Sequence, residues 1–121
     1  VTDKPNKKDR YSATREELEP IVERMLWYLL NEAAQHGQDK ANAGYMDAWV
    51  KHVKAKIKTQ FVGMSNAAAE DEALRAQEYL DALKAKQEAD AKDAENRFRR
   101  EAALATIELY RTICSNERAN V

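Results

Sequence analysis

Glu32, His36 and Asp39 come closest to a chemical constellation in this chain. At i, i+4 and i+7 they share one helix face, and two carboxylates with an imidazole can bind a divalent ion. The same residues also suit a solvated polar face beside Gly37, and that is the reading we expect. A ferritin-like di-iron bundle requires Glu-x-x-His on two helices. Ala33 and Trp49 stand three residues before His36 and His52, so that motif is absent. Cys114 lies in an apolar stretch with no His near it in sequence, which suits a small core residue better than a nucleophile. No Gly-rich phosphate loop, Ser-centred elbow or zinc-ligand spacing occurs. The expectation is a protein that is not an enzyme, with no catalytic residues, metal or cofactor.

A second grouping concerns nucleic acid. Tyr45, Trp49, His52 and Phe61 are interleaved with Lys51, Lys54, Lys56 and Lys58. Aromatic rings between cations can stack bases and pair phosphates. Helical periodicity instead assigns Trp49 and Phe61 to a core face and turns the lysines toward an acidic helix. Lys51, Lys54, Lys58, Arg97 and Arg100 remain the candidate nucleic-acid contacts, with DNA binding as an alternative function.

These residues must be positioned by helices. In 121 residues there are only three Gly and two Pro, and 34% of the chain is charged. That composition belongs to long helices, and it predicts an all-α domain. The net charge of −1 supplies no global field toward nucleic acid or an acidic membrane. One cysteine and no membrane-length apolar run suit a cytoplasmic protein.

Residues 1–13 read as a flexible polar arm, 14–118 as one helical hairpin domain and 119–121 as a frayed tail. Thr14 and Glu17 have capping-box spacing, although Pro20 leaves a later start open. Residues 21–30, IVERMLWYLL, are apolar on nearly all sides. A helix of that kind is covered on more than one side. Gly37 and Gly44 weaken the following stretch, and we expect a continuous helix there with a kink near Gly37. Met46, Trp49, Val50, Val53, Ile57 and Phe61 form the next apolar face. Gly63, Ser65 and Asn66 then provide a stop, a turn and an N-cap.

From Leu80 the residues Leu83, Gln87, Ala91, Ala94, Phe98, Ala102, Ala105, Leu109 and Ile113 recur with an 11-residue period, close to the pitch of a straight helix. Residues 45–64 hold four Lys and one Asp, whereas 65–96 hold nine acids and four bases. A turn near residue 64 sets these blocks side by side. It places Leu80 near Trp49, Leu104–Ile113 near Pro20–Leu26, and Ala91 and Ala94 near Gly37 and Ala41. The expected fold is a long antiparallel, coiled-coil-like hairpin that assembles into an oligomeric helical bundle. A thin two-helix rod has little shielded core, and a second copy is the usual remedy. The expected interface of this homodimer or larger assembly comprises Ile21, Val22, Met25, Leu26, Trp27, Leu29, Leu30, Leu104, Ile107, Tyr110 and Ile113.

From Gly44 onward the chain resembles small helical bacteriophage proteins encoded beside single-strand annealing recombinases. The resemblance rests on GYMDAWVKHVKAKIK, AAAEDEALRAQEYLDAL and ATIELYRTICSNER. It implies a phage origin and an accessory role in DNA recombination or replication, exerted on a phage or host protein; it carries over no catalytic residues. Inhibition of a host defence or DNA-processing protein is a further alternative, with the acidic face of residues 70–93 imitating DNA charge.

Overall fold

The computed structural model describes residues 13–119. Of the expected arm at 1–13, all but Ala13 lies outside the described residues, as do positions 120 and 121 of the expected tail. The described residues form four α-helices and no strand: α1 (Arg15–Asn31), α2 (Ala33–Lys58), α3 (Asn66–Arg75) and α4 (Gln77–Ala119). None of them is long and apolar enough to cross a membrane.

Thr14 starts α1 through a complete capping box. Glu17 N–H donates to Thr14 Oγ1 over 3.2 Å, and Thr14 N–H donates to the Glu17 carboxylate over 3.4 Å. Pro20 lies inside α1, so the helix absorbs one missing hydrogen bond. Gly37 and Gly44 both lie within α2, so the helix runs through them as expected, and the interruption falls earlier, at Glu32. The Asn31 side-chain amide donates to the Trp27 carbonyl over 2.8 Å. A short polar side chain competing for a backbone carbonyl in this way favours a helix end.

After α2, Gly63 adopts φ +97°, a conformation that only glycine takes without strain. Ser65 then caps α3, its Oγ accepting from Ala68 N–H over 3.2 Å. The extended backbone of Ala76 separates α3 from α4.

The chain divides into two compact units, one of Val1–Ala33 with Phe98–Val121 and the other of Ala34–Arg97. In the first, Arg15 pairs with Glu117 over 3.5 Å, Tyr110 donates to Glu19 over 3.1 Å, and Arg99 stacks on Tyr28 at 5.1 Å. Residue numbers fall along α4 as they rise along α1, so these segments are antiparallel within the unit. Leu18, Val22 and Ala103 are its buried apolar residues. In the second unit Asn96 reaches Asp39, Lys86 reaches Asp47 and Lys56 reaches Glu78, again in reverse order. Its core is Val50, Val53, Ile57, Ala73 and Ala82, with Phe61, Ala76, Tyr79 and Leu83 packed against it.

Burial follows a seven-residue period. Leu18, Met25, Glu32, Asp39, Met46 and Val53 form one series, and Val22, Leu29, His36, Ala43, Val50 and Ile57 the other; all are buried or half-buried. On α4 the corresponding series are Ala82, Ala89, Asn96, Ala103 and Tyr110, and Lys86, Asp93, Arg100, Ile107 and Cys114. This corrects the 11-residue stripe. Leu80, Gln87, Ala91, Phe98, Ala102 and Ala105 of that stripe are exposed, so it is not the packing face. Ala43 and Ala89 are buried, whereas Ala41 and Ala91, expected to face each other, are exposed. Trp49 and Leu80 are likewise exposed and do not anchor the second unit.

Candidate functional site

Asp39 shows why the polar face of α2 is not solvated as expected. It occupies a heptad core position, half-buried, and His36 is buried outright. Asn96 Nδ2 donates to Asp39 Oδ2 over 2.7 Å, and Gln35 Nε2 donates to Oδ1 over 2.9 Å. These two donors, Asn96 first, hold the Asp39 carboxyl below its ordinary range. Among the described residues no three His, Cys, Asp or Glu side chains gather closely enough to hold a metal ion.

In the first unit, Cys114 is half-buried beside Tyr110. The Cys114 side chain, then loss of hydration, then the Glu19 carboxylate push the Tyr110 phenol up to about 12. The phenol thus remains protonated and donates to Glu19.

The candidate nucleic-acid contacts are largely engaged. Lys51 pairs with Asp47 at 3.4 Å, one helical turn away. Lys54 pairs across the turn with Glu70; its ammonium is shifted up and the Glu70 carboxyl down, the shared hydrogen bond being the main cause of both. Lys58 is half-buried, and its charge adds to the field at Glu70. Arg97 is exposed and Arg100 half-buried, and each interacts with a neighbouring group.

Of the two aromatics assigned to a core face, Phe61 keeps that role and Trp49 does not. Tyr45, Trp49 and His52 are all exposed on α2. Their rings stack in sequence, Tyr45 to Trp49 at 6.4 Å and 12°, Trp49 to His52 at 5.5 Å and 30°. Phe61 alone of this group packs on the core of its unit.

The eleven expected interface residues sort into three groups. Val22 is buried within the first unit and so is used in its own packing. Ile21, Met25, Leu29, Ile107, Tyr110 and Ile113 are half-buried. Leu26 (46% exposed), Trp27 (61%), Leu30 (80%) and Leu104 (56%) face water. Leu26 and Leu104 each follow a core position, Met25 and Ala103, and in an antiparallel pair those positions border the same flank. Leu30 lies one turn beyond Leu26, and Trp27 lies beside Leu30 at i, i+3. Taking about 150–250 Å² for each such side chain when fully exposed, these four leave roughly 400 Å² of apolar surface in water. On the opposite flank Arg99 covers the Tyr28 ring, and an open groove of about 260 Å³ runs between Met25, Tyr28, Arg99, Ala102, Ala103 and Thr106.

The residues that sequence reading passed over are Asn96 and the Tyr28–Arg99 pair. The signal for Asn96 was its place at seven-residue spacing from Ala89 and Ala103. No family model, curated protein or solved structure matches this chain.

Proposed function

We propose that the protein works without catalysis, as a bacteriophage accessory protein that acts through protein–protein contact in DNA recombination or replication, and that it self-associates. The observation that carries the interaction reading is the exposed cluster of Leu26, Trp27, Leu30 and Leu104. An apolar patch of this size matches the largest on a typical monomer, and such patches are often functional. Roughly 400 Å² of apolar surface is also about what one subunit contributes to the apolar part of a standard interface, which buries about 800 Å² per partner. The antiparallel hairpin assembling into an oligomeric bundle, expected from the sequence, forms part of this proposal. The phage setting rests on the resemblance of residues 44–118 alone.

Affinity capture from phage-infected cells tests the functional half. The wild-type chain should retain a specific phage or host protein that a Trp27→Lys, Leu30→Lys variant loses. Equal retention by both would remove the cluster from the account. Direct DNA binding draws less support, because Lys51 and Lys54 already face Asp47 and Glu70. A mobility shift at low salt that fades steeply as salt rises would restore it.

A further inference from the structure

We propose that the flank of the second unit carrying Tyr45, Trp49 and His52 docks an arginine- or lysine-rich segment of a partner protein. This goes beyond the self-association reading and uses a different unit, so either can fail alone. Tyr45 (59% exposed) and Trp49 (39%) lead a run of three stacked rings at i, i+4 and i+7. Single exposed aromatics need no explanation, but three aligned rings form a continuous π surface.

Charge complementarity identifies the occupant. Lys56 lies one heptad after Trp49, on the same face of α2, and it pairs with Glu78 at 3.3 Å. The α4 stripe that starts at Glu78 therefore borders the aromatic flank. At helical spacing that stripe continues through Asp81, Ala85, Glu88, Lys92 and Glu95. Asp81, Glu88 and Glu95 are exposed, and Lys92 is itself paired with Glu95. Ring faces beside carboxylates attract cations twice over, through the ring quadrupole and through the ion pair. Arginine suits such a surface best, because its flat guanidinium stacks on rings while bonding carboxylates. The chain already uses this contact internally, with Arg99 stacked on Tyr28 at 5.1 Å. A nucleic-acid strand could stack on the same rings, but its phosphates would meet the acidic stripe. The lysines that accompany the rings in sequence, Lys51, Lys54 and Lys56, are paired with Asp47, Glu70 and Glu78.

Trp49 supplies the readout. In the full chain with Trp27→Phe, Trp49 is the sole tryptophan. Titration with an oligo-arginine peptide should change its fluorescence saturably, and oligo-lysine should bind more weakly. Tyr45→Ala, which leaves every charge in place, should weaken binding roughly tenfold. Asp81→Asn with Glu88→Gln should do the same, with helical circular dichroism unchanged in both variants. Three results would overturn the proposal. The first is no saturable response, or one indifferent to Tyr45→Ala, which would mean only diffuse attraction to an acidic surface. The second is tighter binding of oligothymidylate than of oligo-arginine. The third is loss of self-association in Trp49→Ala, which would place a second copy of the chain on this flank.

Discussion

Asn96 donates its side-chain amide to the carboxylate of Asp39 over 2.7 Å, and both residues occupy heptad core positions. A polar pair at such positions costs stability and penalises shifted registers, because any slip leaves the amide and carboxylate without each other. Asn96 is almost wholly enclosed, so its second partner choice is poor. Replacing Asn96 with Ala should lower the thermal midpoint, whereas Asn96→Leu should broaden the transition by admitting alternative registers. Thermal melts followed by circular dichroism distinguish the two outcomes.

The pH dependence follows from groups that titrate differently in folded and unfolded chains. Asp39 and Glu70 are shifted below their ordinary 3.8 and 4.5, so their contributions are present above those values and are lost as pH falls through the lowered ones. Lys54 and Tyr110 are shifted above 10.5 and 10.0, so theirs are present below those values and are lost as pH rises through the raised ones. These groups should lower stability below about pH 4 and above about pH 10. Asp39→Asn should make the acid decline shallower, measured as the melting midpoint against pH.

Two glycines should respond in opposite directions to the same substitution. Gly63 has φ +97°, so Gly63→Ala should destabilise by about 1–2 kcal/mol. Gly44 is helical with nothing near a built Cβ, so Gly44→Ala should stabilise by about 1 kcal/mol. Urea unfolding of both variants checks the contrast.

The cap of α1 offers a fourth test. Thr14→Ala removes the acceptor for Glu17 N–H and should cost about 1 kcal/mol in urea unfolding. Thr14→Ser should cost much less, since the hydroxyl is retained.

Local signals were legible in the sequence and the packing face of α4 was not. Thr14 with Glu17 and Gly63 each act through their own backbone neighbourhood and occupy the expected roles, while the N-cap expected at Asn66 falls one residue earlier, at Ser65. The α4 core consists of Ala82, Ala89, Asn96 and Ala103 in a helix that has alanines on every side. Weighting Leu80 and Phe98 as core therefore selects a neighbouring stripe, because small residues carry little hydropathy even when fully enclosed. The continuity of the helix through the glycines was legible, but its interruption at Glu32 was not. Gly37 costs helix stability but has open space and no competing partner, whereas Asn31 has the Trp27 carbonyl within reach. The candidate surfaces divide in the same way. The all-round apolar character of residues 21–30 pointed to an exposed cluster, but periodicity could not say that Val22 turns inward while Trp27 and Leu30 face out. Nor could it place Trp49 outside the core, because Trp49 precedes the buried Val50 by one residue.

Sedimentation equilibrium of the full chain across the micromolar range tests self-association through the Leu26, Trp27, Leu30 and Leu104 cluster most directly. The wild-type protein should show a mass of twice 13.8 kDa or a higher multiple, and Trp27→Lys with Leu30→Lys should return it to 13.8 kDa with its helical content intact. A wild-type mass of 13.8 kDa throughout, or an assembly unchanged by the two lysines, would contradict the account.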